Sequence, residues 1–353
     1  MGPVDIDRVR DLLQGLDRRQ RQAVTHADGP LLVVAGPGTG KTEVITRRVA
    51  WLIASRRARP SEILALTFTE RAADEMQARI DLLVAYGQAD TAVHTFHAFG
   101  DWLLREHGHA IGRATDPRVI GRAAAMALLR DNVFTLGLDR YMPLGDPTRF
   151  VGALVDLFGR AKEEGISPDE LADYAASLEA GARAAVDGSA DGAAREAVES
   201  LLDEAASTTE LAAAYAAYQR LLAERSLIDH GDQVAEAVRL LLERPAARAA
   251  LRRRFRYVVV DEAQDANPQQ LRLVRQLVGS SGNVAFVGDD DQAIYSFRGA
   301  VGQGLAGLED SYDRLKDVVL RRNYRSRKPI LEAARRLSPV SYTHLRAHET
   351  AYT

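Results

Sequence analysis

The chain comprises 353 residues, 46% hydrophobic and 27% charged, with a formal net charge of −3 and no cysteine. This soluble, globular balance is spread over a chain too long for one typical core; it excludes disulfides and thiolate metal sites and suits a reducing cytoplasm, the expected compartment. No run approaches the roughly eighteen apolar residues of a membrane span, and the small acidic charge leaves any nucleic-acid contact to local patches.

The first predicted element is a buried strand, Leu31–Ala35, which runs into Ala35-Gly36-Pro37-Gly38-Thr39-Gly40-Lys41-Thr42. The spacing is that of a phosphate loop, with Ala35 where the strictest pattern has glycine. Glycines let the backbone curl so that successive N–H groups face phosphate oxygens, and the helical run at 43–53 adds its positive end. On that reading Lys41 reaches the β and γ phosphates and the Thr42 hydroxyl ligates magnesium. The bland alternative is a Gly-rich turn with a chance lysine. A second strand is expected at 63–68. From 112 to 225 strand-like runs vanish, alanine dominates, and Leu211, Tyr215, Tyr218 and Leu222 recur at helical spacing. That block predicts an all-helical insertion, with a Gly-, Ala- and Asp-rich loop at 181–193. Strands resume at Tyr257–Val260 and 284–287. Strands alternating with helices predict an α/β fold on a parallel sheet.

The apolar run Tyr257–Val260 ends in Asp261 and Glu262. Open α/β sheets present ligand chemistry at the C-terminal ends of their strands, where the sheet edge faces a crevice. Alone, the pair reads as a solvated turn. Beside a phosphate loop, Asp261 reads as a magnesium ligand and Glu262 as the group that orients and deprotonates an attacking water.

Asp-Glu-Ala-Gln-Asp at 261–265 resembles motif II of superfamily 1 DNA helicases of the UvrD/Rep/PcrA type, and other segments resemble that family's motifs in its order. Residues 16–24 are similar to the Q motif, which implies that Gln20 reads adenine. Residues 63–76, containing Thr67, Phe68 and Thr69, resemble motif Ia, and Thr95-Phe96-His97-Ala98-Phe99 resembles motif Ib. Residues 227–232 are similar to the short acidic motif before motif II, 287–300 resemble motif III, and Asn323-Tyr324-Arg325-Ser326 resembles motif IV. The resemblance implies a RecA-like P-loop NTPase domain whose cofactors are ATP and Mg2+. It further implies that Gln292 senses the γ-phosphate, Arg298 contacts it, Tyr324 stacks on adenine, and Arg325 is an arginine finger from a second motor domain. The chain departs from the family at Glu43, beside the nucleotide, where many members carry Arg, and at Ala293 and Ser296, which replace commoner Ser and Arg.

Phe68, Phe96, Tyr295 and Phe297 read as platforms for bases, since stacking contributes about 1–3 kcal/mol per base without demanding sequence. The resemblance puts them, with Thr67, Thr69 and His97, on a DNA path. Core packing competes for each aromatic, least for Tyr295 and Phe297, and His97 suits a phosphate contact or a turn cap equally. The cluster Arg252-Arg253-Arg254 with Arg256 reads as a solvated helix face.

The implied partners are single-stranded and partially duplex DNA, and the implied function is that of a 3′-to-5′ ATP-dependent helicase or translocase. The expected divisions are a first motor domain at 1–111 and 226–315, a helical insertion at 112–225, the opening of a second motor domain at 316–338, and a tail at 339–353. The tail resembles a translated sequencing adapter, so the second motor domain is expected to be cut short. A chain of that kind is expected to bind Mg-ATP weakly, hydrolyse it poorly and not unwind DNA. Two rival readings are the motor of an AddA/RecB-type helicase–nuclease and a nucleotide-responsive DNA-binding module without turnover.

Overall fold

The computed structural model describes residues 5–84, 90–114, 116–141, 145–186, 192–289, 292, 305 and 307–337. Its strands, in chain order, are β1 (Leu31–Ala35), β2 (Ile63–Thr67), β3 (Ala92–Thr95), β4 (Arg118–Ile120), β5 (Leu227–Asp229), β6 (Tyr257–Val260), β7 (Asn283–Gly288) and β8 (Lys316–Leu320). The chain divides into two compact units: one runs up to Gly100 and resumes at Val238, and the other is Asp101–Ala237. The divisions fall within the helices Phe96–His107 and His230–Glu243 rather than at 112 and 225. Composition changes where alanine becomes dense, whereas compactness changes where packing partners change.

The first unit is an α/β domain whose sheet runs β3-β2-β6-β7-β1-β8, every neighbouring pair parallel. β2 and β6 are buried along their whole length, as expected of strands covered by helices on both faces. Leu31 lies opposite Ala285 and Val34 opposite Gly288, while Leu66 lies opposite Val260. That register brings the C-terminal ends of β1, β6 and β7 to one edge of the sheet, the edge where open parallel sheets bind ligands.

Two strands were not legible as apolar runs. β3 is half-buried and β8 begins with exposed Lys316 and Asp317; both lie at the sheet's edges, where continuous apolar sequence is not required. β8 also corrects the boundary expected at 316. Val33 pairs with Val318 and Ala35 with Leu320, so residues 316–320 complete the first domain's sheet rather than open a second one.

The second unit has its own core. Phe158 stacks on Tyr215 and Tyr218 with ring centroids 5.0 and 5.6 Å apart, and Ile120, Leu129, Leu154 and Leu222 pack in the same cluster. Its longest helix is Gly192–Glu224. The unit is not all-helical: β4 pairs in parallel with β5, Arg118 opposite Leu227. Strands of three residues are too short to leave a period in the sequence. The expected loop at 181–193 is also corrected, since helix Pro168–Val186 runs through its first part and residues 192–193 begin the next helix; 187–191 lie outside the described residues. No described helix is long and apolar enough to cross a membrane.

Candidate active site

β1 ends at buried Ala35, and Gly36, Pro37, Gly38, Thr39 and Gly40 carry the chain to helix Lys41–Ala54. Gly38 and Gly40 have φ of +74° and +90°, a region that side chains with a Cβ rarely adopt. Thr39 closes the turn, its Oγ1 donating to Gly36 O at 2.7 Å. Gln20 lies against the loop and donates from Nε2 to Thr39 O at 3.0 Å. Its own helix, Arg18–Val24, fixes it: Asp17 and Gln20 form a capping box in which Asp17 N–H donates to Gln20 Oε1 and Gln20 N–H to Asp17 Oδ1.

From the other side comes the segment after β8. Asn323 Nδ2 donates to Pro37 O at 2.6 Å, Tyr324 N–H to Gly38 O at 2.7 Å, and Tyr324 OH to Asp17 Oδ2 at 2.8 Å. Asn323 Oδ1 accepts from the backbone N–H of Arg325 and Ser326, making a tight turn. A Cβ on Gly38 would meet the Arg325 Cβ at 2.7 Å. The Tyr324 ring is 49% exposed and lies under the Arg322 guanidinium at 5.1 Å. Partial burial, with the bond to Asp17, pushes its phenol up to about 12. The expectation that Arg325 comes from a second motor domain is thereby corrected: it lies in the first unit, its backbone N–H is held by Asn323, which bonds Pro37 O, and its side chain is exposed.

Opposite the loop, β6 delivers Asp261, 9% exposed, and Glu262. Burial and the charge of Glu262 push the Asp261 carboxyl up to about 6. Glu262 has φ 48° and ψ 45°, an uncommon left-handed conformation for a residue with a side chain. Its Oε2 accepts from Lys41 Nζ at 2.8 Å. The phosphate-loop lysine and the acid after β6, 221 positions apart in sequence, therefore meet directly. A magnesium ion bound to nucleotide is held through one or two carboxylates, a hydroxyl and phosphates rather than by an all-protein cage. Asp261 and half-buried Thr42 supply that oxygen set, and the raised Asp261 carboxyl is one that a cation would relieve; among the described residues no cluster of three or more acidic or histidine ligands stands ready.

Gln264, which sequence reasoning did not single out, donates from Nε2 to Glu262 Oε2 at 3.0 Å and accepts at Oε1 from Asp289 N–H at 2.9 Å. Gln292 donates from its backbone N–H to Asp289 O and from Nε2 to Asp289 Oδ2. Arg298, Tyr295 and Phe297, with Ala293 and Ser296, lie outside the described residues. Glu43 has a structural use: it pairs with Arg47, which donates to Leu12 O and Gln14 O and so pins the N-terminal segment to the helix after the loop.

The expected DNA contacts divide. Phe96 is 1% exposed and Thr67 is likewise buried, so neither side chain is available to a strand on the surface. Phe68 is half-buried with its ring 5.4 Å from Phe96, which supports it from beneath. Thr69 is exposed and caps helix Glu70–Leu83 by accepting from Ala72 N–H. Thr95 caps the start of helix Phe96–His107, its Oγ1 accepting from Ala98 N–H. The arginine cluster at 252–256 is structural in part: Arg252 donates to Gln276 O, and Arg256 faces Glu62 at 3.6 Å.

Residues 16–313 match the model of the UvrD/REP helicase N-terminal domain. The chain belongs to this helicase family. It is 36% identical over 327 residues to "ATP-dependent DNA helicase PcrA" of Leuconostoc citreum, covering 92% of this chain and 39% of that protein. It is 37% identical over 343 residues to "ATP-dependent DNA helicase UvrD1" of Mycobacterium bovis (94% and 40%), and 32% identical over 323 residues to "ATP-dependent DNA helicase PcrA" of Bacillus subtilis (92% and 39%). The chain thus spans about two fifths of the length of these relatives. Asn323 and Gln264, each quoted only as part of a motif, are the residues at this edge that sequence reasoning did not single out. Asn before Tyr-Arg-Ser carried a signal, since Asn favours turns that its side chain closes; Gln264 carried none beyond its place beside the acids.

Proposed function

We propose that the chain binds Mg-ATP at the edge formed by β1, β6 and β7 and hydrolyses it, as the first motor domain of a DNA helicase that tracks single-stranded DNA with 3′-to-5′ polarity. The observation that carries this reading is the contact between Lys41 Nζ and Glu262 Oε2 at 2.8 Å. It converges the cation of the phosphate loop and a carboxylate suited to a general base on one point, the space a γ-phosphate and its attacking water would share.

In this reading the backbone N–H groups of Gly36 and of 38–41, Pro37 having none, and the start of helix Lys41–Ala54 bind the phosphate chain. Lys41 exchanges Glu262 for phosphate oxygens, which frees Glu262 to accept a proton from water. Thr42 and Asp261 would hold Mg2+, which would supply positive charge against the phosphate chain. Gln292 and the exposed Arg325 are the groups of this chain suited to the γ-phosphate, and Tyr324 offers an exposed ring for the adenine. Gln20 shapes the loop through Thr39 O and keeps a second amide N–H for the base. Phe68, on its support of Phe96, is the described aromatic best suited to stack on a base.

The reading is tested by titrating a fluorescent ATP analogue into wild type and Lys41→Ala and following turnover with single-stranded DNA. Lys41→Ala is expected to weaken nucleotide binding and remove turnover, and turnover is expected to rise with DNA in the wild type. Unchanged turnover in Lys41→Ala would take the phosphate loop out of the mechanism.

A further inference from the structure

The roles above leave one buried side chain of the site unused. Gln264 is 4% exposed, and both ends of its amide are engaged within the site, Nε2 on Glu262 Oε2 and Oε1 on Asp289 N–H. Gly288, the last residue of β7, makes room for it: a Cβ there would stand 2.6 Å from Gln264 Oε1. The backbone of Gly288 does not require glycine, since its φ is not positive. Close approach of the amide is therefore what a larger residue would forfeit. Asp289, fully buried, continues the chain of bonds by accepting at Oδ2 from Gln292 Nε2 and at its carbonyl from Gln292 N–H.

Lys41 and Gln264 bond the same oxygen of Glu262. As Lys41 moves to phosphate in that reading, Gln264 keeps its bond to the shared oxygen, leaving Oε1 to take the proton of a water. We infer that Gln264 is a positioning residue: it aims the Glu262 carboxylate as Lys41 moves away, and ties that aim through Asp289 to Gln292. A displacement of Gln292 toward or away from a γ-phosphate would then reach Glu262 through three hydrogen bonds. This inference rests on the reading of Glu262 as the base.

The full chain tests it, with wild type, Glu262→Gln, Gln264→Ala, Gln264→Glu, Gly288→Ala and the double variant Q264A/G288A compared by single-turnover hydrolysis of Mg-ATP and by titration of a fluorescent ATP analogue. Gln264→Ala and Gly288→Ala are each expected to slow hydrolysis about ten- to hundredfold, the range seen when a supporting partner of an active group is lost. Analogue affinity is expected to stay within about twofold, the signature of an interaction spent on the reacting group. The double variant is expected to be no slower than Gln264→Ala, because the added methyl then has no amide to displace and meets only the tip of Leu305, its Cδ atoms at 3.2 Å. Gln264→Glu keeps the acceptor for Asp289 N–H but sets a like charge beside Glu262, and is expected to be slower than Gln264→Ala. Gln264→Glu and Gly288→Ala carry the test if Gln264→Ala does not melt cooperatively. Wild-type hydrolysis in Gln264→Ala, a loss confined to analogue affinity, or defects that multiply in the double variant would overturn the inference while Glu262→Gln remains slow. Equal rates for wild type and Glu262→Gln would overturn the reading of Glu262 itself, and this inference with it.

Discussion

Asp261 sits at the end of β6 with little access to water, and its carboxyl is pushed up to about 6, first by burial and then by the charge of Glu262. Asp265, more open, is raised to about 6 by the same two causes, and its Oδ1 is buried without a partner. An acid raised in the folded state keeps its proton to higher pH there than in the unfolded chain. Its contribution is therefore most favourable below the ordinary value of about 4 and declines as pH rises from about 4 to about 6. For Asp261 the loss is on the order of 3 kcal/mol, a shift of about two units at about 1.4 kcal/mol each. Thermal unfolding between pH 5 and pH 8 should thus find Asp261→Asn more stable than the nucleotide-free wild type above pH 6, and less responsive to Mg-ATP. A variant less stable than wild type at pH 8 would contradict this account of Asp261. At this scale the sequence picked out Lys41 and Glu262, which the fold brings into contact, because these residue types in those motifs have few other uses. It did not reveal the burial of Phe96 and Thr67, because burial depends on neighbours that spacing does not show.

Among the elements, the short acidic segment at 227–232 anchors the second unit. Lys162, 1% exposed, reaches Asp229 at 2.5 Å and Asp232 at 2.8 Å. Tyr218 OH donates to Asp229 and Gln219 Nε2 to Asp232, while the two aspartates cap each other's backbone N–H groups. Against the cost of burial, the Lys162 charge holds Asp229 below its usual range. Gly231 is required by this packing, since a Cβ there would lie 2.8 Å from Lys162 Cδ. Lys162→Met removes the cation and leaves two buried acids facing each other, which should destabilise the second unit by about 3–5 kcal/mol in urea unfolding at pH 7.5. A loss under about 1 kcal/mol, the range of exposed pairs, would show that the cluster is solvated in solution. The sequence identified 227–232 by resemblance alone; Lys162 lies 67 positions before Asp229, on a helix whose last turn reads as a charged surface. Apolar continuity revealed β1, β2, β6 and β7, the strands with neighbours on both sides. It missed β3 and β8, which have one neighbour each.

For the whole molecule, the parallel sheet and its crossover helices follow from alternating strand and helix signals, and membership of the UvrD/REP helicase family agrees with that architecture. The joining of 316–326 to the first domain was not visible in sequence, because it depends on β8 pairing with β1 and on Asn323 and Tyr324 bonding the phosphate loop. With that joining, the described residues proposed for nucleotide chemistry belong to one compact unit, in a chain that spans about two fifths of its relatives' length. The most direct measurement is single-turnover hydrolysis of Mg-ATP by the full chain with single-stranded DNA, wild type beside Glu262→Gln at equal nucleotide occupancy. The account predicts that Glu262→Gln binds nucleotide yet hydrolyses it at least about a hundredfold more slowly, as loss of a general base requires. Hydrolysis by Glu262→Gln at the wild-type rate would contradict it.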